Sequence, residues 1–163
     1  MKEVHYVSGK IYDQNMLTVE KADNDSVDWY EVTSDNFDIY GLVPEKDGLL
    51  TRRIPLEIAE KVSLGVLGQS GHGAGGRIVF STNSPFVALR VEYGKGAVPT
   101  VCNHCFSYGF DLYKFCDGKD VYVGAYRPAA GFDFHYEEFN KATRNEGESI
   151  CYTLNMPHFA EVR

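Results

Sequence analysis

Two cysteines with a histidine between them are the residues of this sequence that could most readily bind a metal or exchange a disulfide. Cys102 and Cys105 have the spacing of half a zinc site, with His104 as a further donor. A closed zinc site needs four ligands, usually two such pairs, and Cys116 and Cys151 are single residues far apart. Thioredoxin-type exchange needs the pair at the start of a helix in a βαβ unit, whereas a strand is predicted to follow here. The pattern therefore favours reduced loop cysteines and no metal.

The histidines do not form a metal-binding motif either. A cupin-type barrel needs a His-x-His pair followed by a carboxylate, which is absent; His135 stands alone before two glutamates. A single histidine among aromatic residues is more often a hydrogen-bonded core or surface residue than a ligand. We predict no metal and no cofactor for the five histidines, which are His5, His72, His104, His135 and His158.

Neither a phosphate loop nor a nucleophile can be identified. The segment Gly71–Gly76 is rich in glycine but lacks the Gly-Lys-Ser/Thr ending and leads into a predicted strand, so no helix N-terminus would hold an anion. Ser149 follows Gly147 and Glu148 at the start of another predicted strand, and no Asp-x-x-His pair comes after it. A turn before a strand explains this block better than a catalytic serine. We predict no catalytic residue in this chain.

The elements that would position these residues are mostly strands. Alternation of apolar and polar residues, bounded by turn residues, predicts a mainly β chain, a two-sheet antiparallel sandwich or jelly roll. Two hairpins are predicted, one through Asn83-Ser84-Pro85 and one through Asp117-Gly118-Lys119. The predicted strands are Val4–Val7, Met16–Val19, Trp29–Val32, Phe37–Leu42, Arg77–Thr82, Phe86–Tyr93, Phe110–Phe115, Val121–Tyr126 and Ile150–Asn155.

One short helix is predicted, over residues 54–62. Pro55 suits a first helical turn, and Ile54, Ile58 and Val62 are spaced so that they would share the buried face. The glycine-rich residues 65–76 are predicted to form a loop, because they have little side-chain volume to contribute to a core.

Length and charge limit the classes of function. A chain of 163 residues with 44% hydrophobic residues suits one domain, residues 1–163. Its net charge of −7 would repel a phosphate backbone, so we expect no nucleic-acid partner. No apolar run is long enough to span a bilayer and the N-terminal residues do not form a secretory signal, so we expect no membrane contact and a cytoplasmic location.

The segment Gly109-Phe110-Asp111-Leu112-Tyr113 resembles the Gly-x-Asp-Leu-Tyr signature of the β-rich domain that directly precedes the catalytic domain of certain SGNH/GDSL-type hydrolases. Gly109, Asp111 and Tyr113 are its structural motif residues. Further stretches resemble the same family in the same order, so that the similarity covers about residues 37–160. They are Phe37–Gly41, Arg52–Pro55, Val66–Gly75 and Arg77–Arg90.

The resemblance implies a jelly-roll-like accessory domain, packed against a C-terminal catalytic domain that cleaves acyl or acetyl esters, often on carbohydrates. In that family the nucleophilic serine and the Asp-x-x-His pair lie in the C-terminal domain, so the natural protein is expected to continue past Arg163. A strand missing at that point would leave an open sheet edge, which must be covered, charged or paired with a second copy of the chain.

By analogy with the family, two loops would face the neighbouring catalytic cleft. They are the glycine-rich segment and residues 102–109, with His72, Asn103 and His104 as candidate contacts to substrate or to the hydrolase domain. The loop argument by itself is equally compatible with simple tight turns. For Asp111, we expect a structural role in which its carboxylate accepts backbone N–H groups of a loop.

Two other functions remain open on the sequence. A free-standing carbohydrate-binding β-sandwich would use exposed tyrosine or tryptophan rings against sugars, although most aromatic residues are expected in the core. An enzymatic function of this chain by itself would depend on Ser149, and we expect no turnover of an aryl acetate.

Overall fold

The computed structural model describes residues 27–33, 35–43, 48, 50–94, 101–128 and 147–163, together with the backbone of the strands at 6–7, 10–11 and 135–140. The strands are β1 (Tyr6–Val7), β2 (Lys10–Ile11), β3 (Asp38–Tyr40), β4 (Arg77–Thr82), β5 (Val87–Glu92), β6 (Phe110–Cys116), β7 (Lys119–Tyr126), β8 (His135–Asn140) and β9 (Ile150–Asn155). The helices are α1 (Leu56–Val62), α2 (Leu64–Ser70) and α3 (His104–Tyr108).

A five-stranded antiparallel sheet in the order β3-β4-β9-β6-β7 is the main feature of the fold. Strands β5 and β8 form a separate antiparallel pair, as do β1 and β2. The predicted mainly β, antiparallel class is confirmed. Strand β9 has the predicted bounds, while the predicted strand Met16–Val19 and part of Val4–Val7 lie outside the described residues.

The second predicted hairpin is confirmed and the first is wrong. Strands β6 and β7 pair across Asp117 and Gly118, both of which have positive φ, as a tight hairpin turn requires. Strand β4, by contrast, pairs with β3 and β9, and β5 pairs with β8. Between β4 and β5, the Thr82 and Ser84 hydroxyls accept the amides of Ser84 and Phe86, so local side-chain bonds replace a ladder.

The predicted strand at Trp29–Val32 is also wrong. Its residues do not alternate in burial, since Tyr30 and Glu31 are both exposed. The Arg90 guanidinium lies 4.0 Å from the centre of the Trp29 ring, and this cation–π contact holds the segment against β5.

The helices differ from the prediction in number and in orientation. Helix α1 is present, but Ile58 and Val62 are 48% and 61% exposed, and the small Ala59 is the residue that packs inside. The expected single helix is wrong, because the described residues contain two more helices. Helix α2 begins at Leu64 and covers the first half of the predicted loop at 65–76, and α3 covers most of the predicted loop at 102–109. Side-chain caps favour both, since the Ser63 hydroxyl accepts the Val66 amide and the Asn103 side chain accepts the Cys105 amide.

The core lies on one face of the large sheet, where apolar residues of β4, β6, β7 and β9 meet β5 and the C-terminal segment. Its buried members are Ile78, Val91, Tyr93, Phe110, Leu112, Tyr126, Tyr152, Leu154, Met156, Ala160 and Val162. We call the opposite side of this sheet its outer face. None of the helices in the described residues is long and apolar enough to cross a membrane.

Candidate functional site

The Gly-x-Asp-Leu-Tyr segment divides its residues between the core and the outer face. In β6, Phe110 and Leu112 are buried in the core, while Asp111 is exposed and Tyr113 half-buried on the outer face. Gly109 ends α3, and its amide donates to the Cys105 carbonyl over 2.8 Å. A Cβ at position 109 would collide with that carbonyl oxygen, so only glycine fits. The motif therefore turns the chain from α3 into β6 and presents an acid and a phenol outward.

The C-terminal segment after β9 brings the two predicted loops together. The Met156 amide donates to the Gly76 carbonyl over 3.0 Å. Two residues later, the amides of His158 and Phe159 donate to the carbonyls of Phe106 and Ser107. The segment thus contacts the glycine-rich loop with one end and α3 with the other.

A cavity of about 330 Å³ opens between these segments, and we call it the loop-end cavity. It contains a carboxylate, a guanidinium, an amide, an imidazole and a thiol beside an aromatic ring. Such a mixture of donors and acceptors suits a polar small molecule or part of one. The lining residues are Gly75, Gly76, Cys105, Phe106, Gly109, Asp111, Ala125, Arg127, Asn155, Met156 and His158.

His72, predicted as a contact residue, does not line this cavity. It is buried, its Nδ1 lies 3.0 Å from the Gln69 side-chain oxygen, and its ring meets Phe159 edge-on. Burial lowers the pKa of His72 below 6.5, the nearby charge of Glu161 raises it, and Arg53 lowers it further. The buried His72 ring packs against Phe159 of the C-terminal segment and does not line the cavity.

Asn103 and His104 also support the cavity without lining it. The Asn103 side-chain oxygen accepts the Cys105 amide over 2.9 Å and so caps α3. The His104 ring lies 4.9 Å from that of Tyr108 in the same helix. Both contacts stabilise α3, and Cys105 and Phe106, which follow these residues, line the cavity.

The exposed carboxylate of Asp111 receives no hydrogen bond from the described residues, so the loop anchor expected of it is not seen there. Sequence reasoning also missed Arg127, Asn155 and His158. The pairing of β6 with β9 sets Asn155 opposite Asp111 on the outer face. Alternation about Leu154 already indicates that Asn155 points outward, but the partner strand is not readable from the local pattern.

The described residues offer no nucleophile prepared for catalysis. The Ser149 side chain is exposed and receives no hydrogen bond in the described part of the chain. No hydrogen bond joins the Cys105 thiol to His158, whose ring stacks on Phe106 at 4.2 Å. The four cysteines are free, and no three His, Cys, Asp or Glu side chains among the described residues form a group that could hold a metal ion.

Comparison with known proteins finds one matching family model and one similar solved structure. The model of the family described as GxDLY, the N-terminus of SGNH-hydrolase-type esterases, matches residues 27–163. The crystal structure of a GDSL-like lipase from Bacteroides ovatus is similar, with a TM-score of 0.66 and 20% sequence identity. The similarity covers 79% of this chain and 37% of that lipase, so this chain spans little more than a third of its length. No curated protein matches the sequence. The chain thus belongs to the GxDLY family of domains, which form the N-terminus of SGNH-type esterases.

Proposed function

We propose that this chain is the non-catalytic accessory domain of an SGNH-type hydrolase that cleaves acyl or acetyl esters, and that its loop-end cavity forms part of the wall of the substrate cleft. The observation that carries the proposal is the position of Asp111. This acid of the family motif lines a polar cavity, and its carboxylate has no hydrogen bond within the described part of the domain.

The chemistry of the cavity supports a binding role. Asp111 can accept hydroxyl groups, Arg127 can donate to a carbonyl or carboxylate, and Asn155 can do both. Such groups orient a substrate, whereas ester cleavage also needs an activated nucleophile. In the proposed arrangement the hydrolase domain supplies that nucleophile.

The first test is the reading frame beyond the codon for Arg163, where we expect a Gly-x-Ser block and, later, an Asp-x-x-His pair. The complete polypeptide of that frame is then assayed with p-nitrophenyl acetate and with an acetylated sugar. A frame or neighbouring gene without such a hydrolase domain would contradict the proposal.

Variants of the complete polypeptide test the cavity itself. We expect Asp111→Asn to raise KM for the acetylated sugar severalfold with a smaller change in kcat, because the substrate loses a charge-assisted hydrogen bond. Asp38→Asn is the matched control, since Asp38 is another exposed strand carboxylate and does not line the cavity. Equal effects of the two substitutions would refute a role of the cavity in binding.

A further inference from the structure

The outer face of the five-stranded sheet carries a second cavity, of about 350 Å³, which we call the sheet trough. Two cross-strand rows of residues form it. In the first row, Tyr40 lies opposite Arg77, and Arg77 lies opposite Asn155. In the second row, Thr153 lies opposite Tyr113, which lies opposite Tyr122. Residues directly opposite each other share one face of a sheet, so the rows run side by side across the strands.

Aromatic rings are exposed in and beside this trough. Tyr40 is 48% exposed, and the Tyr122 ring, also largely exposed, meets Tyr113 edge-on at 5.5 Å. These rings are not needed for the core, which lies on the other side of the sheet. Exposed tyrosine faces offer flat apolar surfaces for the C–H groups of a sugar ring.

Polar groups stand between the rings, and their side chains have few hydrogen-bond partners among the described residues. The Arg77 guanidinium lies 5.2 Å from the centre of the Tyr40 ring, and this stacking orients its fork of N–H groups. Within the described residues, no acceptor takes a hydrogen bond from that fork, and the side chains of Asn155 and Asp120 are not hydrogen-bonded either. Donors and acceptors thus lie next to each other, as adjacent hydroxyl groups of a sugar would require.

The charges of the trough distinguish between kinds of ligand. Arg77 and Asp120 carry opposite charges in the same cavity, and the chain has a net charge of −7, which disfavours a polyanion. The centre of a protein interface is depleted of charged residues, unlike this trough. A neutral polyhydroxylated chain fits both observations.

We propose that the sheet trough binds a neutral saccharide chain, with sugar rings against Tyr40 and Tyr113 and hydroxyl groups on Arg77 and Asn155. Asn155 lines both the trough and the loop-end cavity, so the two sites are neighbours. The bound chain would therefore lead toward the proposed substrate cleft. This inference goes beyond the proposed function, because binding requires no hydrolase domain.

The test is affinity gel electrophoresis of this chain in gels that contain xylan, glucomannan or polygalacturonate. We expect retardation by at least one of the two neutral polysaccharides. Tyr40→Ala and Arg77→Lys should each weaken binding about fivefold to tenfold, the lysine variant because it keeps the charge but loses the planar fork. Tyr30→Ala, which removes an exposed tyrosine outside the trough, is the matched control and should bind like the unmodified chain.

Circular dichroism melting of each variant shows whether lost binding reflects unfolding, and Arg77→Lys keeps the test valid if Tyr40→Ala does not fold. Retardation by none of the polysaccharides, or by polygalacturonate alone, would overturn the proposal. So would weakening by Tyr30→Ala equal to that by the trough variants, or a dimer that Tyr40→Ala dissociates. Binding by this chain alone tests the trough, and turnover by the complete polypeptide tests the proposed function, so the two failures are distinguishable.

Discussion

The Thr51 hydroxyl connects the end of α2 with the C-terminal segment of the domain, and its removal should lower the free energy of unfolding. Thr51 is fully buried. Its hydroxyl donates to the Gly71 carbonyl over 2.6 Å and accepts the Val162 amide over 3.0 Å. Thr51→Val keeps the shape of the side chain and removes both bonds, leaving a carbonyl and an amide without these partners in a buried place.

The size of the effect follows from those two groups. Each buried backbone group left unpaired costs ~1–3 kcal/mol. Valine has no hydroxyl to remove from water on folding, and this saving offsets part of that cost. We expect the free energy of unfolding to fall by about 2–4 kcal/mol, which for a domain of this size lowers the melting temperature by on the order of 10 °C. Thr51→Ser keeps both hydrogen bonds and loses one buried methyl group, at a cost of ~1 kcal/mol.

Urea unfolding followed by circular dichroism measures both variants, and hydrogen exchange reports on the Val162 amide. In Thr51→Val this amide should exchange faster relative to the rest of the core, while in Thr51→Ser it should not. The reasoning is refuted if Thr51→Ser destabilises as much as Thr51→Val, or if Val162 stays equally protected in both.

Three further predictions concern single residues around the cavity. Gly109→Ala should destabilise the domain by more than ~2 kcal/mol in urea unfolding, because a Cβ collides with the Cys105 carbonyl. Gly68→Ala is the control: a Cβ there has open space in α2, so this variant should be more stable by ~0.5–1 kcal/mol. The reverse order of stability would contradict this packing. His72 has a lowered pKa in the folded state, so the unfolded chain binds more protons as the pH falls below 6.5, and the stability present above that pH should decline there. Unfolding measured between pH 7.5 and 5 should show a smaller decline in His72→Gln, and an unchanged slope would rule out this origin. Asn103→Ala should cost ~1 kcal/mol through loss of the α3 cap, and a loss of zero in thermal melting would show that the cap is unimportant.

Local patterns in the sequence were sufficient for some elements of the fold. The Asp117-Gly118 pair predicts a tight turn, because aspartate and glycine tolerate positive φ. Both residues adopt positive φ, and β6 and β7 pair across them. Alternation in β9 places Tyr152 and Leu154 in the core. The family motif identified the domain, and its glycine stands where a Cβ would collide with the Cys105 carbonyl oxygen.

The same patterns do not show which strands pair with each other. A period of two determines which face a residue occupies, but it does not say which strand lies alongside. The wrong hairpin between β4 and β5 arose in this way, since β4 pairs with β9, about 70 residues away. The burial of Ala59 instead of Ile58 in α1 has a similar cause, because the path of the chain decides which helix face meets the core.

The sequence by itself thus determined the β-rich class, the faces of the strands and the family, since these depend on residues close together in the chain. Only the tertiary structure decided that Asp111, Arg127, Asn155 and His158 line one cavity, and that His72, Asn103 and His104 support it from outside. The physical reason is that a cavity is formed by contacts between segments far apart in sequence, whose register depends on the packing of the whole sheet.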